Sequence, residues 1–186
     1  IVRSSTVGTF LPMNQGFIFD ESGKEVEQGF EGEVCVKGPA VMLGYYCDPT
    51  ATAEAIDEMG RLHTGDLGYL DQDGNLHISG RKKDIIIRNG NNISARKIEE
   101  ALHTLAGISQ AAVVGIYHEK WGEIPCALVI TEPGFLPSPE EIRNRLTSIL
   151  TKLELPEKIL FRDQMPLTSS GKPDKQRIKS LFTKSV

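Results

Sequence analysis

Lys172 is the residue whose surroundings most directly suggest chemistry, because it stands between Gly171 and Pro173 in a serine-containing stretch near the carboxyl end. The stretch has a superficial likeness to a phosphate-binding loop. A Walker-type loop requires a glycine five residues before its Gly-Lys pair and a serine or threonine directly after the lysine. Those two positions hold Pro166 and Pro173. The sequence therefore excludes such a loop and indicates a turn that displays a lysine.

Asp66 is a second candidate, at the end of the tripeptide Thr64-Gly65-Asp66. Its carboxylate has two acceptor oxygens, which suit the two neighbouring hydroxyl groups of a ribose. An Asx turn beside Gly65 and Gly68 explains the same residues without any ligand. Arg81, taken in isolation, is likewise typical of a surface arginine. Both interpretations of each residue stay open on the local sequence alone.

The composition is that of an ordinary globular protein. The 186 residues are 39% hydrophobic and 25% charged, which leaves room for one or two domains. The formal net charge is -4 and the basic residues are scattered, so we expect no nucleic-acid partner. Three cysteines without a C-x-x-C spacing predict neither a disulfide framework nor a zinc site, and the dispersed histidines predict no other metal site. A reducing, cytoplasmic setting is the expectation.

The apolar runs are too short for a membrane span. Residues 126–130, one of the longest runs, have the length of a strand, whereas a helix needs roughly 20 apolar residues to cross a bilayer. The chain begins with Ile1, and no charged-then-apolar leader follows it. We therefore expect a piece of a longer protein, without a membrane span.

The first 80 residues have the pattern of short strands and turns. Strands are predicted over 16–20 and 32–38 and on both sides of the Asp73-Gly74 pair, which is typical of a β-hairpin. One helix is expected at about 49–58, because Asp48 can cap it and Pro49 suits the first helical position.

After Gly80 the pattern changes to alternating strands and helices, which predicts an α+β fold for this part. Three helices are predicted, over 94–107, 138–153 and 174–182. The second has Ser138 and Glu141 as a capping box and an apolar stripe that comprises Ile142, Leu146, Ile149 and Leu153. Strands are predicted over 84–88, 110–118, 125–131 and 158–162.

Three separated segments together resemble one enzyme family. Residues 60–102 read GRLHTGDLGYLDQDGNLHISGRKKDIIIRNGNNISARKIEEAL, and residues 166–178 read PLTSSGKPDKQRI. With GEVCVKGPAVMLGYYCDPTATAEAI at 32–56, they are similar to the acyl-adenylate-forming (AMP-binding) enzymes, which include acyl-CoA synthetases, luciferases and peptide-synthetase adenylation domains. The likeness covers nearly the whole chain in order. It is greatest to the acyl-CoA synthetase and fatty-acid–CoA ligase branch, since residues 84–94 lack the polar-basic run usual in peptide synthetases.

The resemblance implies an organisation for the chain. Residues 1–80 would form a small β-barrel-like subdomain at the end of the large AMP-binding domain, and 81–84 would be a hinge. Residues 85–186 would form the mobile terminal domain, a two-layer α+β domain with a three-stranded sheet, helices and a hairpin. The family's phosphate loop, acyl pocket and magnesium-binding glutamate have no counterpart in the chain, so we expect the chain alone to be inactive.

The resemblance also implies roles for six residues. Lys172 would be the catalytic lysine that enters the site during adenylation. Asp66 would hold the ribose hydroxyls of the nucleotide, and Arg81 would close over the ribose and phosphates. Lys83 would be the hinge residue that absorbs backbone rotation between two domain orientations. The last two, which would border the channel for the pantetheine thiol, are Gly90 and Trp121.

The reaction implied is ATP-dependent activation of a carboxylic acid, fatty or related, followed by transfer of the acyl group to a thiol. ATP, Mg²⁺ and CoA or a phosphopantetheine thiol are the expected cofactors. Glu154 and Glu157 stand where many acyl-CoA synthetases are basic, so an acyl carrier protein is an alternative acceptor. Arg61 stands where tryptophan is common in the family. A noncatalytic module that binds a carrier protein or a metabolite is the rival class of function.

Overall fold

The structure is a computed structural model that describes residues 6–183. The chain divides into two compact units, Ile1–Lys83 and Asp84–Val186. Their boundary falls inside the 81–84 segment, whose role as a hinge stays a prediction. No helix among the described residues combines the length and the apolar character that crossing a bilayer would require.

The sheet of the first unit is antiparallel, and its four strands follow one another in chain order. They are β1 (Gln15–Phe19), β2 (Gly32–Lys37), β3 (Leu62–Leu70) and β4 (Leu76–Arg81). Among the described strands, β4 does not pair with β1 to close the sheet, and on the outer side of β4 the Leu76 N–H donates to the Gly8 carbonyl at 2.8 Å. Within the described residues the barrel-like expectation is thus corrected to an open sheet.

The turn between β3 and β4 is organised by Asp71. Its carboxylate accepts hydrogen bonds from the backbone N–H groups of Asp73 and Asn75, at 3.0 and 2.8 Å, and lies 2.9 Å from His77 Nε2. Gly74 has a φ of 78°, a left-handed conformation that favours glycine. The predicted hairpin is confirmed. The hydrogen bond with His77, and then those from Asn75 and Asp73, lower the pKa of Asp71 to about 2.

The helices begin where their caps predict. Asp48 caps α1 (Pro49–Ala55) and Ser94 caps α2 (Ala95–His103), each by accepting a backbone N–H in the first turn. α3 (Pro139–Leu146) has the predicted capping box of Ser138 and Glu141. The last helix is α4 (Lys175–Thr183).

α3 is shorter than the predicted helix over 138–153. The Thr147 hydroxyl donates to the Asn144 carbonyl at 2.6 Å and the Ser148 hydroxyl to the Arg145 carbonyl at 3.1 Å, so side chains replace the helical N–H donors there. As a result Leu150 is buried in place of the predicted Ile149 and Leu153, which are exposed.

The second unit is built on the long antiparallel pair β7 (Ile108–His118) and β8 (Gly122–Thr131). The free edge of β8 receives two partners. One is β9 (Lys158–Phe161), which is parallel to β8, and the other is the hairpin of β5 (Ile85–Arg88) and β6 (Asn91–Ser94), which pairs through Arg88 and Gly122. The α+β class, with three main strands and an attached hairpin, is confirmed.

Alternate residues of β7 and β8 face two different layers, as the two-residue period of a strand requires. One face packs against α2 and α3 through residues such as Val113, Val129, Ile98 and Ile142. The opposite face packs against α4 through Leu128, Ile178 and Phe182. The sheet therefore has α2 and α3 packed on one face and α4 on the other.

Replacing Leu128 by alanine tests the layer that carries α4. Leu128 is fully buried against α4, so Leu128→Ala is expected to lower the free energy of unfolding of the second unit by about 2–5 kcal/mol. Urea unfolding followed by circular dichroism measures the loss. Leu136→Ala is the control, since Leu136 is exposed, and a similar loss in both variants would contradict the assigned packing.

The Asp71 turn should make the first unit sensitive to acid. Because the folded-state pKa of Asp71 lies below its ordinary value, the ionised carboxylate stabilises the fold near neutral pH. That contribution is lost as the pH falls from the ordinary aspartate range, about pH 4, to about 2. Thermal unfolding across this window should show a steeper fall in Tm for the native chain than for Asp71→Asn. Asp73→Asn, in the same turn, should behave like the native chain, and a flattened profile for it would assign the effect elsewhere.

Candidate active site

Asp66 and Arg81 face each other across β3 and β4. They are direct partners in the strand register, and Arg81 Nε donates to Asp66 Oδ1 at 2.9 Å. Both side chains are partly exposed to solvent, and exposed ion pairs contribute at most about 1 kcal/mol to stability. The ion pair therefore contributes little to the stability of the fold, but it holds a carboxylate and a guanidinium side by side at the surface.

A β-bulge sets the position of Asp66. The register between β2 and β3 shifts between Glu33 and Cys35. Inside the bulge the Thr64 hydroxyl donates to the Val34 carbonyl at 2.7 Å, and the Asp66 N–H donates to the Thr64 hydroxyl at 3.1 Å. These bonds replace the ladder that the bulge interrupts.

Glu33 supports the bulge from β2 and is a positioning residue that the sequence analysis missed. Its Oε1 accepts the N–H of Gly65, at 3.2 Å, and its Oε2 accepts from Lys82 Nζ, at 3.1 Å. Gly65 has a φ of 70°, so the turn favours glycine here. Burial acts to raise the pKa of Glu33, but the hydrogen bonds from His63 and Lys82 outweigh it and the pKa is lowered. The only feature of the sequence that could have drawn attention to Glu33 is the Gly32-Glu33 pair at the start of the predicted strand.

A surface pocket of about 370 Å³ lies beside this bulge, lined by Thr64, Gly65, Arg81, Lys82 and Lys83. Its charged groups are all basic, which suits phosphate oxygens and does not suit a magnesium ion. Lys83 is exposed at the end of the pocket, in the short 3-10 helix Lys82–Asp84. Its predicted hinge role is compatible with that place, and no side-chain role is required.

Lys172 lies in a closed turn that directly precedes α4. The Thr168 N–H donates to the Lys172 carbonyl at 2.8 Å, and the Gly171 N–H donates to the Thr168 carbonyl at 3.0 Å. Gly171 has a φ of 79°. Within residues 6–183 the Lys172 side chain forms no ion pair or hydrogen bond, and the residue is exposed. The fold therefore displays the ammonium group without using it.

Lys175, three residues later, ties the start of α4 to the rest of the second unit. Its Nζ lies 3.0 Å from Asp84 Oδ2 and 3.2 Å from Glu99 Oε1. Glu99 also accepts the backbone N–H of Val113 at 2.8 Å. No local pattern marks Lys175, because its partners Asp84 and Glu99 are far away in the chain. The ion pairs connect the Lys172 turn with the first residue of the unit and with α2.

Gly90 and Trp121 are brought close together. Asn89 and Gly90 both have positive φ angles, 51° and 76°, which is the conformation of a type I′ turn between β5 and β6. The Asn89 N–H donates to the Trp121 carbonyl at 2.8 Å. Gly90 is thus favoured by the turn itself, and that Gly90 and Trp121 border one thiol channel stays a prediction.

The residues that depart from the family pattern have structural partners. Arg61 pairs with Asp57 at 2.6 Å and its guanidinium lies 4.5 Å from the centroid of the Phe19 ring. In the second unit, Glu154 pairs with Lys97 and Glu157 with Arg88, at 2.6 and 2.8 Å. The two glutamates therefore neutralise bases of their own unit.

Within each unit, the structure brings some of the predicted residues together. Asp66, Arg81 and Lys83 lie around the pocket region of the first unit. In the second unit Gly90 and Trp121 are neighbours, whereas Lys172 belongs to a separate turn.

Comparison with known proteins points to one family from both units. Residues 1–46 match the family described as AMP-binding enzyme, and residues 97–172 match the AMP-binding enzyme C-terminal domain. A fatty acid–acyl-carrier-protein ligase from Streptomyces coeruleorubidus is 38% identical over 89% of the chain and 32% of its own length. The chain spans about a third of the length of the curated relatives it matches.

Two solved structures have the same fold. An amide bond synthetase from Marinactinospora thermotolerans is 38% identical, with a TM-score of 0.89 over 96% of this chain and 36% of that one. The o-succinylbenzoate–CoA synthetase of Bacillus subtilis, in complex with its acyl-adenylate intermediate, is 31% identical, with a TM-score of 0.87 over 94% of this chain and 35% of that one.

The Lys175 ion pairs predict a measurable coupling in the second unit. Lys175→Met leaves Asp84 and Glu99 without their shared cation and should lower the free energy of unfolding by about 1–2 kcal/mol, since each group is mostly buried. Urea unfolding measures the change. Lys179→Met, on the same helix without an ion pair among the described residues, is the matched control.

A double variant distinguishes loss of the ion pair from loss of side-chain packing. Lys175→Met combined with Asp84→Asn should lose less stability than the sum of the two single variants, because the second change removes a carboxylate already left unpaired. Strict additivity would show that the contact does not contribute.

Proposed function

Because the chain belongs to the AMP-binding enzyme family, we propose that it provides the ribose-binding and lysine-bearing part of an ATP-dependent acid–thiol ligase. The protein activates a carboxylic acid, fatty or related, as an acyl-adenylate and transfers the acyl group to the thiol of CoA. The relatives include ligases that use CoA and ligases that use a carrier protein, which supports acid activation as the common step.

The observation that carries the proposal is the Asp66–Arg81 pair beside the basic pocket. Adenylation is the attack of a carboxylate on the α-phosphate of ATP, with pyrophosphate as leaving group. The protein must fix the nucleotide and balance negative charge at the phosphates. Asp66 supplies acceptors for ribose hydroxyls, and Arg81 supplies donors for ribose and phosphate oxygens. Holding the two side by side before ATP binds reduces the cost of ordering them.

Lys172 contributes the charge that approaches only during adenylation. A compact ammonium group on a flexible stem can contact a carboxylate and a phosphate oxygen together. Lys172 is exposed and keeps its side chain free of partners within the described residues, so contact with substrate breaks no existing ion pair. The closed turn limits how far its backbone moves when the side chain is used.

The domain organisation is part of the same proposal. Residues 1–80 belong to the end of the nucleotide-binding domain, 81–84 form the hinge, and 85–186 form the mobile domain. Lys83 lies at the end of the first compact unit, where a backbone rotation would not disrupt a β ladder. Rotation there would exchange Lys172 for Gly90 and Trp121 between the two half-reactions.

ATP enters this reaction as its magnesium complex, and Mg²⁺ supplies charge neutralisation at the phosphates when bound. No residue of the chain is assigned to the ion, since the pocket residues are donors and cations.

An acyl carrier protein as acceptor is the second candidate. Arg88 and Lys97, which could otherwise bind the phosphates of CoA, are paired with Glu157 and Glu154. A phosphopantetheine arm on a carrier protein does not need those contacts. Thioester formation measured in parallel with CoA and with a phosphopantetheinylated carrier protein distinguishes the two acceptors.

Lys172→Ala tests the adenylation step. In the full-length protein that carries this chain, acid-dependent pyrophosphate exchange should fall by about 100- to 1000-fold, the loss typical of removing one transition-state contact. Thioester formation from presynthesised acyl-adenylate should change little, because the second half-reaction does not use this lysine.

Lys179→Ala is the matched control, and it should leave both half-reactions unchanged. Equal loss of both half-reactions in Lys172→Ala would count against the assigned role. No exchange with any acid in the native protein, together with retained binding of a carrier protein, would instead favour the noncatalytic module.

A further inference from the structure

The side chains of a glutamate and a cysteine on β2 and of a histidine on β3 lie close together. The proposed ligase reaction assigns no metal ion to them. Cys35 and His63 are direct partners across the two strands. Glu33 stands two residues before Cys35 and so lies on the same side of β2. The shift in register between Glu33 and Cys35 lets both approach one imidazole.

Two of the three separations between the ligand atoms are close to those around a tetrahedral metal ion. Cys35 Sγ lies 3.4 Å from His63 Nδ1, and His63 Nδ1 lies 3.2 Å from Glu33 Oε2. All three atoms lie within 4.8 Å of one another. Zinc bonds of about 2.3 Å to sulfur and about 2.1 Å to nitrogen and oxygen place neighbouring ligands about 3.4–3.6 Å apart. Small shifts of the Glu33 side chain would complete this geometry.

We propose that Glu33, Cys35 and His63 form a three-ligand site for a thiophilic divalent cation of the zinc type. Thiolate, imidazole and carboxylate together are the donor set that zinc takes in proteins, and a fourth position would be left for water. Binding replaces the Cys35 S–H bond by a sulfur–metal bond, and the proton passes to solvent. His63 is partly exposed and provides the route of entry.

Asp57 is placed to orient the histidine from its other side. Its Oδ2 lies 3.6 Å from His63 Nε2, and its Oδ1 accepts the backbone N–H groups of Met59 and Arg61 at 2.9 Å each. A histidine that binds a metal through one nitrogen commonly donates from the other to a carboxylate. Asp57 Oδ2 also accepts from Arg61 Nε at 2.6 Å, so it would take this role once its 3.6 Å separation from His63 Nε2 shortens to hydrogen-bond length.

The surrounding charges permit a cation. Arg61 is paired with Asp57, and Lys82 Nζ lies 3.1 Å from Glu33 Oε2. An ionised carboxylate has about four lone-pair sites, so Glu33 can bind a metal and still accept from Lys82 and from Gly65. Before binding, Glu33 and Asp57 balance Lys82 and Arg61, and the loss of the Cys35 proton on metal binding adds a third negative charge.

The site is coupled to the nucleotide region through Glu33. The same carboxylate holds the Gly65 N–H of the bulge and the Lys82 side chain at the pocket. A cation bound to Glu33 would weaken the hydrogen bonds that the carboxylate accepts from the Gly65 N–H and from Lys82. Metal binding would therefore change the bulge next to Asp66 through Glu33, without the metal touching the substrate.

Cobalt is the direct probe, because Co²⁺ takes zinc ligand sets and its bond to a thiolate gives a charge-transfer band in the near ultraviolet. Titration of the 186-residue chain with Co²⁺, under a reductant that is not a thiol, should give this band at one ion per chain. Added Zn²⁺ should abolish the band and raise the Tm of the first unit.

Cys35→Ser should lose the band. Cys126→Ser should keep it, because Cys126 is as fully buried as Cys35 but belongs to the second unit and to no group of possible metal ligands among the described residues. Asp57→Asn should keep the band with an affinity about 10- to 100-fold weaker, as expected for an outer partner of a metal-bound histidine.

Folded native chain without a cobalt band would overturn the proposal, and so would a band that persists in Cys35→Ser or disappears in Cys126→Ser. If circular dichroism shows that Cys35→Ser is unfolded, an unchanged affinity of Asp57→Asn for Co²⁺ overturns the proposal instead. None of these results depends on ligase activity, so the test is independent of the proposed function.

Discussion

The register shift between β2 and β3 is the constraint on which the first unit depends. It removes Thr64, Gly65 and Asp66 from the regular ladder, and unpaired backbone groups in a sheet need other partners. The Thr64 hydroxyl and the Glu33 carboxylate supply them. On its other side Asp66 stays opposite Arg81 in the ladder between β3 and β4. The Asp66–Arg81 pair is therefore set by the register of β3 and β4, and the repaired bulge supports it from the β2 side.

The second unit displays Lys172 at its surface without burying it. Strand β8 packs on both faces, and α4 lies on one of them through Ile178 and Phe182. Lys172 precedes that helix in a turn closed by its own backbone, and Lys175 anchors the helix start to Asp84 and Glu99. The backbone of the turn is therefore held firmly while the lysine side chain keeps its freedom. That combination suits the role that we propose for Lys172, which is contact with the substrate in the first half-reaction only.

Local signals predicted much of this architecture. The caps at Asp48, Ser94 and Ser138 each mark a helix start, because one side chain and one backbone N–H decide them. The sequence did not predict the end of α3, where hydroxyl groups compete with the helix, or the open edge of the first sheet. It also missed Glu33 and Lys175, whose partners lie more than thirty residues away in the chain. Contacts of that kind depend on strand register and helix packing, which no short pattern contains.

Glu33 links the two proposals physically. Burial favours its neutral form, yet the hydrogen bonds from His63 and Lys82 outweigh burial and lower its pKa, so the carboxylate is ionised. An ionised carboxylate at that place can stabilise a bulge, hold Lys82 at the basic pocket and bind a metal ion. A glutamine could accept from Gly65 but would lose the charge that the other two interactions need. The bond to Gly65 needs only a hydrogen-bond acceptor at position 33, whereas the contact with Lys82 and the proposed metal ion need a negative charge.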